Sequence, residues 1–183
     1  MQRKICSSFY ALPRFVSQLS FIQNSTYLCS AGADCYLRCW QSRTGRELGA
    51  FKLEFPTING LSLEDDSKES SCRVIVSRLF MIKPNICVGA CASHPVVFTI
   101  PVHISTDGSS AEWGPICVTT TPGDCPLVDC VVCPLSVPPG DQLPVCMIGL
   151  TGEVPSRLVA WNLSLRGSAD SQCQFEEVRR LRL

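Results

Sequence analysis

The strongest constraint on this chain is a pattern of short apolar runs that returns about every 60 residues. Val16-Ser17-Gln18-Leu19 recurs as Val76-Ser77-Arg78-Leu79, and Leu127-Val128-Asp129-Cys130-Val131-Val132 holds the third copy of that position. Tyr27 to Ala31 is echoed by Ile86 to Ala90 and again by Val145 to Gly149. Tyr36-Leu37-Arg38-Cys39-Trp40 is echoed by Val96 to Ile100, and the third copy, from Ser156, closes on Trp161. The runs are rich in Val, Ile, Thr, Phe and Cys and are bounded by Gly, Pro, Asn, Asp or Ser, which are strand and turn signals. No segment holds a helical apolar period over three turns.

Runs this close in sequence pair as antiparallel meanders. A four-stranded meander cannot bury both faces alone, so it must stack on a neighbour, which is the logic of a propeller. The expected fold is therefore all-β, a partial propeller of about three four-stranded antiparallel blades over 11–53, 73–121 and 125–183. An outer strand of a preceding blade is expected near Ile5 to Tyr10, and Gln174 to Leu183 reads equally as strand or short helix. The period exceeds the usual ~40–45 residues. The excess falls in polar inserts at 54–71, 103–113 and 165–172, expected as mobile surface loops.

The chain has 183 residues, 45% hydrophobic and 17% charged, which supports a packed core and excludes wholesale disorder. Sixteen basic residues balance sixteen acidic ones, which excludes a broadly basic nucleic-acid binder. There is no apolar run long enough for a membrane-spanning helix, so no membrane partner is expected. Thirteen cysteines cannot all pair internally, and Met1 to Cys6 lacks the apolar core of a secretory signal. Free thiols in a reducing compartment are expected, where the sequons at Asn24 and Asn162 meet no glycosylation machinery. A mitochondrial leader is the alternative, because no acidic residue precedes Asp34 and Arg3, Lys4 and Arg14 stand near serines.

The first unit reads Phe15 to Phe21, then Tyr27-Leu28-Cys29-Ser30-Ala31-Gly32-Ala33-Asp34, then Tyr36 to Trp40, then Thr44-Gly45-Arg46-Glu47-Leu48. It resembles a WD repeat along its whole length. In that family a turn aspartate, a strand hydroxyl, a histidine and the tryptophan form a buried hydrogen-bonded set. The resemblance assigns Asp34, Ser30 and Trp40 to three of these places, as blade architecture only. The histidine place falls on Ala11-Leu12, so the indole and carboxylate lose their shared partner. The second unit has Ser93-His94-Pro95 at the turn and Ile100 in place of tryptophan, and the third keeps Trp161 alone.

Phe15-Val16-Ser17, Leu37-Arg38-Cys39-Trp40 and Arg43-Thr44-Gly45-Arg46-Glu47-Leu48, followed by Ser77-Arg78-Leu79-Phe80, Asn85-Ile86-Cys87-Val88 and Pro95-Val96-Val97-Phe98, run in a characteristic order. In that order the chain resembles the WD-repeat non-catalytic subunit of the tRNA (guanine-N7)-methyltransferase, over about residues 5 to 102. The resemblance implies a chain without catalysis or a cofactor of its own. Its partner would be the catalytic methyltransferase subunit, which binds S-adenosylmethionine, and tRNA would be met through that complex. It also implies the nucleus, with the cytoplasm as a second location. Family members carry a full ring, of which this chain resembles the later blades. An unstacked blade end leaves ~600 Å² open. At ~25 cal/mol/Å² that is up to about 15 kcal/mol forgone, so the chain alone is expected to be marginal, as a truncated gene model, splice form or fragment would be.

Other residues are weighed against plainer roles. Cys130-Val131-Val132-Cys133 is a single CxxC; Cys125 and Cys146 are the candidate completing ligands, His94 and His103 are the only histidines, and packing is the preferred reading. Cys35 with Cys39, and Cys87 with Cys91, share strand faces as small core residues do. Asp65-Asp66 sits in a Ser- and Glu-rich insert, where solvation is expected rather than acid–base work. Arg43 and Arg46 flank a turn, and Arg179, Arg180 and Arg182 lie near the last residue; either cluster is a candidate phosphate or partner contact. The alternatives to the tRNA reading are a generic WD scaffold, such as a substrate receptor in a ubiquitin ligase, and, ranked last, a cysteine hydrolase.

Overall fold

The computed structural model describes residues 15–22, 26–55, 74–82, 85–121, 125–134, 145–152, 157–166 and 172–182. Thirteen strands account for most of them. β1 (Val16–Ile22), β2 (Tyr27–Gly32), β3 (Tyr36–Gln41) and β4 (Arg46–Lys52) form a four-stranded antiparallel sheet in chain order. β5 (Val76–Ile82), β6 (Ile86–Cys91) and β7 (Val96–Ile104) start the second sheet. The long β7 serves two partners: its first half pairs with β9 (Cys117–Thr120) and its second half with β8 (Ala111–Trp113). β10 (Leu127–Pro134), β11 (Val145–Thr151), β12 (Arg157–Arg166) and β13 (Gln172–Arg182) form the third sheet, again in chain order. Among the described residues there is no helix, and the ambiguous final segment is strand.

The three sheets repeat one another in detail. Each first strand carries a register shift at the same place, between Val16 and Gln18, Val76 and Arg78, and Leu127 and Asp129. A β-bulge sharpens local twist, so the innermost strand of every blade bends at one level. Ser17 and Ser77 sit at the bulge, and each hydroxyl donates to a carbonyl of the next strand, Ala31 and Ala90 respectively, at 3.1 Å.

Strand alternation sends successive side chains to opposite faces, and stacking buries both faces of the middle blade. All of β6 is buried. Cys87, Cys91, Phe98, Ile100 and Val102 meet Cys29, Ala31, Leu37 and Cys39 of the first blade. Ile86, Val88, Ala90 and Val97, on the opposite face, meet Leu127, Cys130, Met147, Val159 and Trp161 of the third. The thiols of Cys29 and Cys87 hydrogen-bond across the first interface, which with burial raises the Cys29 pKa well above its ordinary value. Burial likewise pushes Cys39 up to about 12 and, at the edge of the same cluster, Cys91 up to about 12. Cys29, Cys39 and Cys91 stay protonated, and all four thiols pack as small apolar groups.

The structure corrects the reading of the inserts. The stretch 103–113, expected as a mobile polar loop, is a hairpin formed by the end of β7 and β8. Its turn is closed by Asp107, whose carboxylate accepts from the Ser105 hydroxyl at 2.6 Å and the Ser109 amide at 3.0 Å. These bonds hold the Asp107 pKa down at about 2. The hairpin reaches back onto β4 of the first blade: Phe51 and Trp113 rings lie 6.1 Å apart, and the Arg46 guanidinium donates to the Gly108 carbonyl at 3.2 Å. Gly49 makes this approach possible, because a Cβ there would land on the carbonyl of Ala111. Gly49→Val should therefore push the hairpin off β4 and cost about 1–3 kcal/mol, read as a lower urea midpoint with unchanged slope. Of the expected insert 165–172, residues 165, 166 and 172 belong to strands. Residues 5–10, Ala11-Leu12 and 56–71, including Asp65-Asp66, lie outside the described residues.

Candidate interaction surface

The residues assigned to the WD set separate into two contacts. Ser30 on β2 and Trp40 on β3 face away from the second blade, and the indole Nε1 donates to the buried Ser30 hydroxyl at 2.8 Å. Asp34 takes a different partner. In the β2–β3 turn its carboxylate accepts from Arg38 Nη2 at 2.6 Å and from the Tyr36 amide at 3.3 Å. Arg38 also lies 3.6 Å from Glu47 and stacks over the Tyr36 ring. With no histidine in this arrangement, an arginine four residues along the next strand neutralises the aspartate. Sequence reasoning missed Arg38, although Asp34 and Arg38 at that spacing around a tight turn were the available signal.

Burial alone would raise the Asp34 pKa, but the Arg38 hydrogen bond, the Tyr36 amide and the Arg38 charge together hold it below the usual value. A carboxylate depressed in the folded state adds stability that is complete above the unfolded pKa, about 3.9, and fades as pH falls through the folded value. Asp34→Asn should therefore lower stability at neutral pH, and the difference from the parent should shrink as pH falls below the unfolded pKa and vanish below the folded one. Urea midpoints taken across that range check it; parallel curves would contradict it.

In the second blade His94 occupies the turn. It is buried, its Nδ1 lies 2.8 Å from the Ser93 hydroxyl, and the Phe55 ring meets it edge-on at 6.2 Å. Burial lowers its pKa, which favours the neutral ring. His103 is exposed on the hairpin, opposite Glu112. Arg43 is exposed in the β3–β4 turn, whereas Arg46 is partly engaged by the hairpin. Arg179, Arg180 and Arg182 lie on β13.

The CxxC pair divides across β10. Cys130 is buried against the second blade, its pKa raised to about 12 by burial and the Asp129 charge. Cys133 lies opposite Cys146 on the other face. Cys125 precedes β10, its carbonyl taken by the Thr121 hydroxyl. Among the described residues no group of three His, Cys, Asp or Glu side chains is arranged to hold a metal ion. No described helix is long and apolar enough to cross a membrane. The innermost strands carry a clasp that the sequence did not announce: Arg78 Nε on β5 meets Asp129 Oδ1 on β10 at 2.6 Å.

No family model and no curated protein matches this chain. Solved structures do. Kluyveromyces lactis Hsv2 superposes with a TM-score of 0.58 at 10% identity, over 93% of this chain and 48% of that one. Saccharomyces cerevisiae Sqt1 gives 0.56 at 10% identity, over 94% and 37%. The WD40 domain of SCAP from fission yeast gives 0.56 at 10% identity, over 93% and 32%, and it is also matched in the complex of the fission yeast SREBP–SCAP binding domains. The chain has the fold of a partial WD40 propeller. It spans less than half the length of each of these WD40 chains, and identities this low speak for the fold alone.

Proposed function

We propose that this chain is a non-catalytic interaction scaffold that docks a partner protein and holds it in place. The observation that carries this reading is how the polar and nucleophilic groups are used. The thiols of Cys29, Cys39, Cys87, Cys91 and Cys130 are buried, His94 is packed in a turn, and Asp34 and Asp129 are neutralised by Arg38 and Arg78. Each strengthens a blade or joins two blades. A similar fold also serves in the SREBP–SCAP complex as a binding domain.

At finer resolution, the resemblance over residues 5–102 supports the non-catalytic subunit of the tRNA (guanine-N7)-methyltransferase, acting in the nucleus. The chain would dock the catalytic subunit and keep it in a tRNA-competent arrangement, a preorganisation role. S-adenosylmethionine and the methyl transfer would belong to that partner, and Arg43 and Arg46, both exposed, are the cations offered to the partner or to tRNA. Reconstitution tests it. Purified catalytic subunit should bind this chain and methylate tRNA at least ~10-fold faster with it than alone. Absence of both binding and stimulation would end the tRNA reading. Recovery of a cullin adaptor in its place would favour a ubiquitin-ligase receptor and leave the scaffold reading intact.

A further inference from the structure

The two outermost blade faces are built like the faces that stack inside the molecule, yet among the described residues nothing stacks on them. On the first blade, Leu19 and Phe21 of β1 share the face of Leu28, Ser30 and Trp40, turned away from the second blade. Leu19 is 54% exposed and Phe21 59%, whereas the residue matching Leu19 one blade on, Leu79, is 5% exposed because the first blade covers it. On the third blade, Val131, 51% exposed, shares its face with Ile148 across the β10–β11 ladder, turned away from the second blade. The matching face of the second blade, carrying Phe80 and Val88, is covered by the third.

We infer that two copies of this chain close on each other. The open face of the first blade in one copy receives the open face of the third blade in the other, and the reverse contact completes a six-bladed ring. Two observations select a second copy. The repeated strands make each open face the counterpart of one already stacked, so the contact extends an interface the chain makes twice. The faces are of opposite kinds, front and back, which prescribes a head-to-tail contact that closes if the rotation permits; six blades lie within the range of known propellers. The inference goes beyond docking of a catalytic partner and does not depend on it.

Light scattering coupled to size exclusion, on the full chain, tests it. The parent should have twice the mass of a single chain and grow no larger at higher concentration. Phe21→Asp disables the front face and Val131→Asp the back face, and each alone should give a monomer. Their equimolar mixture keeps one intact front-to-back contact and should recover a dimer, with affinity at least ~10-fold weaker than the parent's. Far-UV circular dichroism confirms that each variant retains its strands, and Phe21→Leu should keep the dimer. A monomeric parent overturns the inference, as does a parent covered on these faces only by a different protein. So does a dimer that survives Val131→Asp, which would pair like faces, or an open polymer, which would show that the ring does not close.

Discussion

Phe98→Ala is expected to destabilise the protein by about 3–5 kcal/mol. Phe98 is fully buried on β7, between the first and second blades. Its ring covers Gly89 so closely that a Cβ on Gly89 would occupy the same space, and Phe55 packs against it with ring centroids 5.9 Å apart. Removing the ring leaves a cavity lined from two blades, which neither can collapse into without pulling away from the other. Against a typical domain stability of about 5–15 kcal/mol, that loss is large. Chemical denaturation measures it. Hydrogen exchange should also rise in β2, β3 and β6, the strands flanking the cavity, before it rises in β11.

Trp161→Ala should cost a similar ~3–5 kcal/mol, but at the other interface. Trp161 is 2% exposed on β12 and packs with Met147 and Val159 against the second blade. Gly149 lies beneath it, as Gly89 lies beneath Phe98. Here exchange should accelerate first in β10 and β11, while β2 and β3 keep their protection. Equal acceleration in all three blades for either variant would mean that the interfaces are not separate structural units. The two sites share no neighbours, so the double variant should show a cost near the sum of the singles.

These two positions also mark what could be read from the sequence. The strands were legible because apolar runs at a fixed spacing have few other uses, and the buried run Ile86 to Cys91 announces a strand covered on both faces. Trp161 was recognised as the surviving tryptophan of its unit. The importance of Phe98 was not, because it depends on a glycine in the adjacent strand meeting it across the pleat. The hairpin at 103–113 was mistaken for a loop since its turn, Ser105 to Ser110, is wholly polar. The flanking Val102-His103-Ile104 and Ala111-Glu112-Trp113 alternate in burial and carried the signal. Arg38 replaced the missing histidine as the partner of Asp34 through strand geometry, and the Arg78–Asp129 clasp joins residues brought together only by blade stacking.

The central claim is that repeated antiparallel sheets stack face to face, with the first and second joined through their cysteine-lined surfaces. Nuclear Overhauser contacts in isotopically labelled protein test this directly. The account predicts cross-strand contacts between Cys29 and Cys39, between Gly89 and Phe98, and between Met147 and Trp161. It also predicts a contact between the β-protons of Cys29 and Cys87, which only stacking of the first blade on the second can produce. Helical chemical shifts in these segments, or well-formed sheets with Cys29 and Cys87 out of contact, would contradict it.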